Sequence, residues 1–426
     1  MNEKLVYRFA ILFSVLTLIC LGSNYYIHPL PTHDGVWTLT PVFSTIQGFW
    51  NEDIYTGYRL PFLHYYLKIP FYLVMGNSIY GPFILNIIIN LLYVYIIVKF
   101  GKKYNLSKTQ SWIILGLFLS CNVFSSLRPE HLINILLLLY FLYNSRIKYI
   151  WQHLIICILF IAIHPALGLF AMLLNLTNKS YNIKNILVQL GILGLIAVGI
   201  YFIFPELSQT LLFSLQSRYE GNLVMPFLSF CKSCIFIIMY YSYRLYFSES
   251  TKRDLLQLLA FIILATLLGK DYYFDYVVIY ILYKCFTISM PAKDFNNIQL
   301  TMVFASFCLF PFRNLYKEVQ NYDVHSNLKQ VLYRIGEVVL INDKTYQVPM
   351  EFALPAMGNK NVKLLYHHLE TDSYTPLVQV PHARLLVADP NKFEEIKKNA
   401  GDHIKQWIQP VGSQKYCLFE IASLPH

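Results

Sequence analysis

The sequence is poor in charged residues. Asp, Glu, Lys and Arg together occupy 14% of its 426 positions, whereas hydrophobic residues occupy 56%. Because globular domains carry about 25% charged residues, this composition excludes a soluble protein of this length. The mean hydropathy of +0.45 agrees with that exclusion. We therefore expect a polytopic α-helical membrane protein.

The sequence also lacks the motifs of several enzyme classes. It contains no GxxxxGK[ST], HExxH or GxSxG pattern and no Rossmann glycine pattern, which argues against ATP-driven transport and the hydrolases that those motifs define. Its eight cysteines form no paired framework outside the apolar runs. One CxxC pair, Cys231 and Cys234, stands without the second pair that a zinc site would need.

Long apolar runs dominate what is present. A spanning helix needs roughly 20 apolar residues, and by hydropathy we place about eleven transmembrane helices. The first follows Lys4 and Arg8 and lacks a small-residue cleavage site, so we expect it to stay as an uncleaved helix. The predicted helices cover residues 7–27, 79–99, 109–126, 129–144, 150–163, 165–177, 184–204, 225–247, 253–269, 272–289 and 297–312.

Basic residues allow the topology to be predicted. Lys and Arg are enriched in cytoplasmic loops, and a cytoplasmic N-terminus keeps that alternation through every crossing. We therefore expect a multi-pass protein of the cell (inner) membrane, and the net charge of +10 does not indicate a nucleic-acid partner. The cations placed in cytoplasmic loops are Lys99, Lys102, Lys103, Lys108, Arg146, Lys148, Lys179, Lys184, Arg244, Lys252, Arg253, Lys284 and Lys293.

Residues 150–177 are compatible with one long helix or with two short ones. Proline removes a backbone donor and disfavours helix at the residue before it, which favours a break at His164-Pro165. Only a hairpin keeps Lys179 and Lys184 on the cytoplasmic side. The sequence therefore predicts two helices joined at His164.

The same topology gathers ionisable residues on the extracytoplasmic side. They lie in a long first outer loop, residues 28–78, or at the outer ends of later helices. Because such residues are costly near the membrane interior unless they have a role, this convergence is the main functional signal. The residues are His33, Asp34, Glu52, Asp53, Arg59, His64, Arg128, Glu130, His131, His164, Arg218, Glu220, Lys270 and Asp271.

Asp34, within Thr32-His33-Asp34-Gly35, is the candidate catalytic carboxylate. A carboxylate at the mouth of an apolar cavity can act as general base toward an acceptor hydroxyl or amine, or can hold a divalent cation. An Asp-Gly pair is also a common turn and helix cap, so Asp34 can instead cap an interfacial helix over residues 36–50. Both interpretations are open at the level of the sequence.

Arg128-Pro129-Glu130 marks the start of a predicted helix. Pro129 and Glu130 are ordinary there, but the helix dipole disfavours a cation at this position unless an anion accompanies it. A guanidinium beside a helix N-terminus makes a phosphate site. The alternative is that Arg128 extends to lipid phosphates.

Further candidates carry weaker signals. Arg59 and His64 belong to a segment whose apolar part, residues 61–75, is too brief to span the membrane and is expected at the outer leaflet. His164 sits at the predicted hairpin tip, where a structural histidine is the commoner outcome. Lys270 is either half of a structural ion pair or a second phosphate contact.

Residues 316–426 differ in composition from the transmembrane domain that we place over residues 1–315. They are charged and rich in turns, which predicts a small extracytoplasmic α/β domain. A helix is expected over residues 390–399, with Asp389 as N-cap and Pro390 at its first position. Strand-like runs occur at 338–342, 362–366, 384–388 and 416–421.

These features resemble the GT-C superfamily of polyprenyl-phosphate-dependent glycosyltransferases, in particular the protein O-mannosyltransferase and aminoarabinose transferase branch. The match extends to about residue 175, and beyond it only the topology and an outer C-terminal domain agree. It departs from the family where Asp34 precedes Gly35 instead of a second acid, and where Leu60-Pro61 replaces two prolines. The matching text is His33-Asp34-Gly35, Leu60-Pro61-Phe62-Leu63-His64-Tyr65-Tyr66, Met75-Gly76-Asn77-Ser78, Lys99-Phe100-Gly101-Lys102-Lys103, Arg128-Pro129-Glu130 and Ile163-His164-Pro165-Ala166-Leu167-Gly168-Leu169.

The resemblance implies an inverting glycosyl transfer from a lipid-linked donor. A polyprenyl phosphate or pyrophosphate would carry the sugar, and Asp34 would deprotonate or orient the acceptor, which is a glycan, a lipid or a protein. A divalent cation (Mg or Mn), if one is used, would be held by Asp34 and Asp53. The donor phosphate would be bound by Arg128, Arg59, Arg218 and Lys270. Other site candidates are His33, Glu52, Asp53, His64, Glu130, His131 and His164.

Three other interpretations remain open. A polysaccharide polymerase or ligase shares many helices and outer arginines, but is expected to carry its main polar loop late in the membrane region. A transporter or flippase is expected to place ionisable residues at mid-membrane and to show repeat symmetry. A non-catalytic relative of the transferases would share every feature above.

Overall fold

A computed structural model describes most of the predicted membrane region and five strands of the C-terminal segment. Between residues 177 and 223, only isolated helical positions from 191 to 202 are described. The described ranges are 3–27, 67–75, 81–121, 130–147, 149–176, 224–246, 251–268, 273–288 and 297–320, together with the strands between 340 and 421.

The chain divides into two compact units. Of the described residues, the larger unit contains those in 3–23 and 86–315. The smaller unit contains those in 24–27, 67–75, 81–85 and 316–421. Helices build the larger unit, whereas the strands belong to the smaller one.

The helices follow the apolar runs of the sequence. In the apolar interior of a membrane every backbone N–H and C=O must be paired within the segment, which is why such runs form helices. Their bounds are α1 Glu3–Ile27, α2 Ile69–Met75, α3 Gly81–Lys103, α4 Lys108–Leu119, α5 Glu130–Tyr143, α6 Ile150–Ile163, α7 Pro165–Leu176, α8 Val224–Ser233, α9 Ile235–Leu245, α10 Thr251–Leu267, α11 Phe274–Thr287, α12 Asn297–Phe307 and α13 Arg313–Gln320.

Three helical segments are long and apolar enough to cross a membrane: Glu3–Asn24, Phe83–Lys103 and Asn297–Lys317. A fourth crossing results if the bent pair α8 and α9 is counted as one span. The helices α5, α6 and α7 are apolar but shorter. The described part of the membrane region is thus mostly helical, with three or four candidate spans where hydropathy predicts eleven.

The helices α6 and α7 form the hairpin that the proline predicts. His164 follows α6 with extended backbone (φ −161°, ψ 123°), and Pro165 is the first residue of α7. The two helices approach closely at Gly168, where a Cβ would lie 2.9 Å from Ile161 N and 3.0 Å from Cys157 O. The proline break and the missing side chain together allow the antiparallel pair.

The single helix expected over residues 225–247 is wrong, because the segment forms two helices, α8 and α9, bent by 80°. At the junction, Cys234 leaves the helical conformation (φ −113°, ψ 14°) while its N–H still donates to Phe230 O at 2.9 Å. A straight helix would carry the Lys232 ammonium into the apolar interior, which is costly. The bend ends α8 just after this cation and leaves it exposed.

The last predicted membrane helix extends beyond its expected end at residue 312. After α12 the chain passes through a π-helical turn, Cys308–Phe312, into α13. Pro311 lies within that turn. Because proline lacks the N–H that an α-helix needs, a π turn accommodates it by shifting the hydrogen-bond pattern. Residues 316–320 are therefore helical and continue this helix.

A tight turn joins α3 to α4. Asn105 has φ 56°, the left-handed conformation that glycine and asparagine tolerate best. It allows the Leu106 N–H to donate to Gly101 O at 2.9 Å, as in a Schellman cap. Ser107 then caps α4, since its Oγ accepts from Gln110 N at 3.1 Å and its N–H donates to Gln110 Oε1 at 3.0 Å. Both helix ends at this turn are therefore fixed.

Contacts within the larger unit bring several helix ends together. The Tyr104 hydroxyl, whose pKa is raised by burial, donates to Leu142 O of α5 at 3.1 Å. The Tyr104 ring also lies 6.4 Å from Phe286 of α11, and Lys284 of α11 reaches Asp254 of α10 at 2.7 Å. We call this the basic end. The described cations that the sequence assigned to cytoplasmic loops lie here, namely Lys99, Lys102, Lys103, Lys108, Arg146, Arg244, Lys252, Arg253 and Lys284.

The opposite end of these helices contains the α6–α7 break, the start of α11 and the α8–α9 bend. We call it the His164 end, because His164 there approaches α11, and Phe230 of α8 stacks on Phe274 at 4.9 Å between ring centroids. None of the described cations that the sequence assigned to cytoplasmic loops lies at this end, because all of them lie at the basic end. Two of them correct the prediction, since Arg244 and Lys284 are buried within helices rather than exposed in loops.

Small residues allow α1, α4 and α12 to pack closely. A Cβ on Gly116 of α4 would lie 2.9 Å from Ser14 Oγ of α1 and 3.0 Å from Val303 Cγ1 of α12. The hydroxyls of Ser120, which follows α4, and Ser306 of α12 are hydrogen-bonded to each other. Such contacts are typical of packed membrane helices.

The smaller unit contains α2, which is part of the short segment predicted over residues 61–75. Its bounds are shorter than that prediction, and residues 61–66 lie outside the described chain. Tyr72 of α2 is fully buried. It packs against the beginning of α3, where a Cβ on Gly81 would lie 2.9 Å from the Tyr72 ring.

Five strands lie beyond residue 320. β1 Leu340–Ile341 pairs in parallel with β2 Leu364–Leu365. β3 Leu385–Ala388, β4 Ile404–Val411 and β5 Tyr416–Ile421 form an antiparallel sheet in the order β3-β5-β4. The strands β1, β2, β3 and β5 fall inside the runs predicted from the sequence. The strand β4 was not predicted, because its polar residues interrupt the hydrophobic pattern of a strand. The helix expected over 390–399 lies outside the described residues, so the α/β domain stays a prediction.

Candidate functional site

Most of the predicted site residues lie outside the described part of the chain. Their roles stay predictions, and so does the arrangement of the first outer loop. These residues are His33, Asp34, Glu52, Asp53, Arg59, His64, Arg128, Arg218 and Lys270.

Glu130 and His131 are the first residues of α5. The described helix therefore starts one residue after the predicted start at Pro129, which lies outside the described residues. The other end of α5 belongs to the basic end, because Phe141 packs against the Tyr283 ring of α11 at 5.5 Å. The start of α5 consequently belongs to the His164 end.

His164 connects α6 to α7 through its backbone. Its N–H donates to Phe160 O at 2.8 Å, which completes the last turn of α6. Its C=O accepts from Leu167 N at 3.0 Å, which begins the hydrogen bonding of α7. Pro165, between them, needs no donor at the first helical position. Both helices thereby fix the histidine at the tip of the hairpin.

The imidazole of His164 contacts α11. Its Nδ1 lies 3.3 Å from the Tyr276 hydroxyl, and its ring lies 6.4 Å from that of Tyr273. His164 is half-buried, whereas Tyr276 is fully buried. A partly exposed imidazole beside a buried hydroxyl can exchange a proton or a hydrogen bond with a bound molecule.

Aromatic packing fixes Tyr276 beside His164. The Tyr276 ring stacks on Phe170 of α7 with centroids 4.7 Å apart. Phe170 in turn lies 5.4 Å from Phe261 of α10. Aromatic pairs at such distances contribute about 0.5–1.5 kcal/mol beyond the burial of their area. These contacts hold α7, α10 and α11 together next to the histidine.

Asp275 is a buried acid that the sequence analysis did not single out. It lies in the first turn of α11 and is 2% exposed. The helix dipole favours a carboxylate at that position, and Tyr93 of α3 and Cys234 lie within reach of its charge. The available signal was an acid inside an apolar run, because ionisable residues in membrane segments mark functional or tightly paired positions.

Cysteines also meet near Asp275. The Cys234 thiol lies close to that of Cys121, and these two and Cys231 are thiols rather than disulfides. Within the described ranges, no group of three or more His, Cys, Asp or Glu residues is arranged to hold a metal ion. The predicted cation ligands, Asp34 and Asp53, lie outside those ranges.

A second polar cluster joins α9, α10 and α11 at the basic end. Lys284 Nζ lies 2.7 Å from Asp254 Oδ1, and both side chains are buried. Arg244, which is fully buried, donates to the Tyr240 hydroxyl at 3.2 Å and to the Ile288 carbonyl oxygen. The charge of Lys284 is thus paired with that of Asp254. The described acceptors of Arg244 are uncharged oxygens, and its Nε has no hydrogen-bond partner among the described residues.

A third polar group links α5, α6 and α7. His153 Nδ1 lies 2.9 Å from the Tyr140 hydroxyl, which donates to Asn175 Oδ1 at 2.9 Å. His153 is 3% exposed and Asn175 is fully buried. In contrast with His164, this histidine has no exposed side to offer a ligand, so its contacts stabilise the packing of the three helices.

The resemblance to GT-C enzymes rests mainly on the first outer loop. Of the matching text, Met75, residues 99–103, Glu130 and residues 163–169 lie in the described chain. They form helix ends and a hairpin, which are features that many membrane proteins share. No protein-family model matches the chain, and neither a curated protein nor a solved structure matches it.

Proposed function

We propose that this protein is an integral membrane glycosyltransferase that moves a sugar from a polyprenyl-phosphate-type donor to an extracytoplasmic acceptor, with inversion. The observation that carries the proposal is the convergence of His164, the start of α5 and the buried Asp275 at one end of the helices. Arg128 and Lys270, the predicted phosphate ligands, precede α5 and α11 by only a few residues in the sequence. This short connection supports a shared site.

The proposed reaction is a single displacement. The acceptor oxygen or nitrogen forms a bond to the anomeric carbon, while the bond from that carbon to the donor phosphate oxygen breaks and leaves its electron pair on the phosphate. Asp34 takes the proton of the acceptor. Arg128, with Arg59, Arg218 and Lys270, binds the phosphate and stabilises the negative charge that develops there.

His164 fits the rim of this proposed site. Its Nδ1 contacts the Tyr276 hydroxyl, and its half-buried imidazole is the group that we propose donates to a phosphate or sugar oxygen. In this arrangement Tyr276 is a positioning residue, because it orients the imidazole without touching the substrate.

The proposed topology has eleven crossings of the cell (inner) membrane, with the N-terminus in the cytoplasm. An α/β domain over residues 316–426 would lie on the extracytoplasmic side. The collection of described cations at the basic end supports it, since the positive-inside rule assigns such an end to the cytoplasm. The His164 end would then face the extracytoplasmic side, where the acceptor is a glycan, a lipid or a protein. The strands β3, β4 and β5 support the sheet of the outer domain.

Replacement of Asp34 by Asn tests the proposal. Wild-type protein in liposomes is supplied with radiolabelled polyprenyl-phosphate donors that carry a hexose, a pentose or aminoarabinose, and with acceptors of each class. We expect Asp34→Asn to abolish transfer and to retain donor binding, because an amide cannot accept the acceptor's proton. Glu3→Gln, at the start of α1, is the control that should keep full activity. Full activity of Asp34→Asn would remove Asp34 from the mechanism.

A transporter or flippase for a lipid-linked sugar is the second candidate, and Asp275 favours it. An acid buried in a membrane helix is expected along a substrate or ion pathway. Such a protein would move the labelled lipid across the vesicle bilayer without transferring its sugar. Transfer to an added acceptor would favour the enzyme, and products of many lengths would indicate a polymerase.

A further inference from the structure

Exposed cations surround the turn between α3 and α4 and the end of α5. They are Lys99, Lys102, Lys103, Lys108 and Arg146. Between Asp53 and Glu206 the sequence contains a single acidic residue, Glu130. Glu130 begins α5 and therefore lies at the His164 end. The sequence between Asp53 and Glu206 therefore contributes no carboxylate to the basic end, where these cations lie.

The ammonium of Lys103 is held in a defined position. Its Nζ donates to Leu142 O at 3.3 Å. It also lies 5.0 Å from the ring centroids of Tyr104 and Tyr143 and 5.2 Å from that of Phe100. Cations within about 6 Å of an aromatic centroid are attracted to its face. The flexible lysine stem is therefore fixed among three rings.

Arg146 shares one of those rings with Lys103. Its Cζ lies 5.2 Å from the Tyr143 centroid, so that both cations contact the same ring. Their like charges repel each other. Among the residues that the structure describes, neither cation forms an ion pair, and the carboxylate of Asp254 is engaged with Lys284. Two cations that are held together, with no anion between them in the described part of the chain, favour the binding of an anionic group.

These cations lie at the end of a candidate membrane span. Lys103 is the last residue of the candidate span Phe83–Lys103. Tyr149 and Trp151, which follow Arg146 closely in the sequence, are 58% and 55% exposed, and their rings stack at 6.2 Å. Exposed tyrosine and tryptophan mark the membrane–water interface. The cations and the aromatic pair therefore indicate the same boundary of the bilayer.

The turn after α3 keeps this arrangement rigid. The left-handed Asn105 and the capped ends of both helices fix the backbone on either side of Lys103. The adjoining contact between Tyr104 and Leu142 ties the turn to α5. A ligand that binds here would therefore not have to order the backbone first, which lowers the entropic cost of binding.

We propose that Lys103 and Arg146, which both lie beside the Tyr143 ring, bind the headgroup phosphate of an anionic phospholipid such as phosphatidylglycerol. The occupant is a bilayer lipid because the cations end a candidate span beside exposed interfacial aromatics. Lys99 and Lys102, exposed on the same helix, add to the positive potential. The inference depends on membrane insertion, and it is independent of glycosyl transfer.

Native mass spectrometry of the purified full-length protein tests this site. Phosphatidylglycerol is titrated against phosphatidylcholine, and the retained lipid is counted. We expect one phosphatidylglycerol molecule to bind more tightly than phosphatidylcholine. The double variant Lys103→Gln/Arg146→Gln should weaken this binding about thirtyfold, the loss expected for two interfacial cations.

Matched variants separate a defined site from general charge. Lys232→Gln/Arg313→Gln removes one lysine and one arginine that are exposed elsewhere, and it should leave the affinity within about twofold of wild type. Tyr143→Phe keeps the ring and should retain binding, whereas Tyr143→Leu removes it and should weaken binding. Lys103→Arg/Arg146→Lys preserves both charges and should retain lipid binding. It shows whether the loss of binding comes from the loss of charge if the neutral double variant is unstable.

Three outcomes would overturn the site. One is an equal loss of affinity in Lys103→Gln/Arg146→Gln and in Lys232→Gln/Arg313→Gln, which would mean that only the overall charge of the protein matters. Another is unchanged affinity in Lys103→Gln/Arg146→Gln. The third is displacement of the lipid by millimolar inorganic phosphate, which would identify a site for a soluble anion rather than for a headgroup.

Discussion

The hydroxyl of Tyr276 meets the imidazole of His164 across 112 positions of the chain, at 3.3 Å from Nδ1. This contact ties a residue that the sequence singled out to a buried ring of α11. The bundle contains a second described histidine, His153, whose Nδ1 contacts Tyr140 in a similar way at 2.9 Å. Exposure distinguishes the two, because His164 is half-buried and His153 is 3% exposed.

We expect His164→Gln to lower the rate of glycosyl transfer, on the order of a hundredfold, if the imidazole donates to substrate in the transition state. His153→Gln should instead lower thermal stability and leave the rate per folded molecule unchanged. Transfer assays on liposomes, normalised to monodisperse protein, measure both effects. Equal rates for the two variants would assign His164 a structural role.

The ion pair between Lys284 and Asp254 should be sensitive to the loss of one partner. Lys284→Met leaves a buried carboxylate without its cation, and we expect a destabilisation of about 3 kcal/mol. The double variant Lys284→Met/Asp254→Leu should recover most of that loss, because both charges are then gone. Denaturant unfolding in detergent micelles measures the difference, with exposed Lys252→Met as the control. Additive losses in the double variant would contradict this account.

Gly168 should be essential for the α6–α7 hairpin. An alanine Cβ would press against the backbone of Ile161 and Cys157, and such overpacking costs about 1–3 kcal/mol. Gly194→Ala is the matched control, since no atom lies within 4 Å of a Cβ placed there. The melting temperature in detergent should fall for Gly168→Ala alone. A similar fall in both variants would show that helix packing at Gly168 is not the cause.

Asn105 should tolerate glycine but not valine. A β-branched residue is strained at φ 56°, by about 1–2 kcal/mol, whereas glycine adopts that conformation freely. Thermal unfolding should therefore rank Asn105→Gly near wild type and Asn105→Val below it. The reverse order would show that the Asn105 side chain, rather than its backbone, supports the turn.

The topology can be measured with reporters. A fusion after residue 105, beside the basic end, should be active only with a cytoplasmic reporter such as green fluorescent protein. A fusion after residue 320 should be active with alkaline phosphatase, which requires an external location. Both expectations follow from the positive-inside rule. The same reporter active at both positions would place the two points on one side and overturn the eleven-crossing topology.

Local chemistry explains which parts of the fold were predictable. The break at His164-Pro165 follows from the missing N–H of one residue, and the helix α6 has the predicted bounds. The bend at Cys234 escaped prediction because no proline or glycine marks it. The π turn at Pro311 escaped for a different reason, since the proline was visible but a helix can pass it by shifting its hydrogen bonds.

The candidate site was less accessible to sequence reasoning. His164 was identified because it adjoins a proline break in an apolar run. Its partner Tyr276 was not, because tyrosines are abundant in this chain, with 34 in all, and only packing determines which one meets a given imidazole. Asp275 was missed although an acid inside an apolar helix is a signal that can be read from sequence.

The helices α9 and α11 are short, and their length determines how far the His164 end would lie below the membrane surface. These helices have 11 and 14 residues, so they rise about 16 and 21 Å, whereas the hydrocarbon layer is about 30 Å thick. If Lys103 and Arg146 bind one headgroup layer as we propose, Asp275 would lie within the hydrocarbon of the far leaflet. A phosphate bound beside His164 would have to descend roughly 10 Å below its neighbours. The protein would thus create a recess in which the bilayer is locally thin, and this depth would select ligands that already carry a lipid tail.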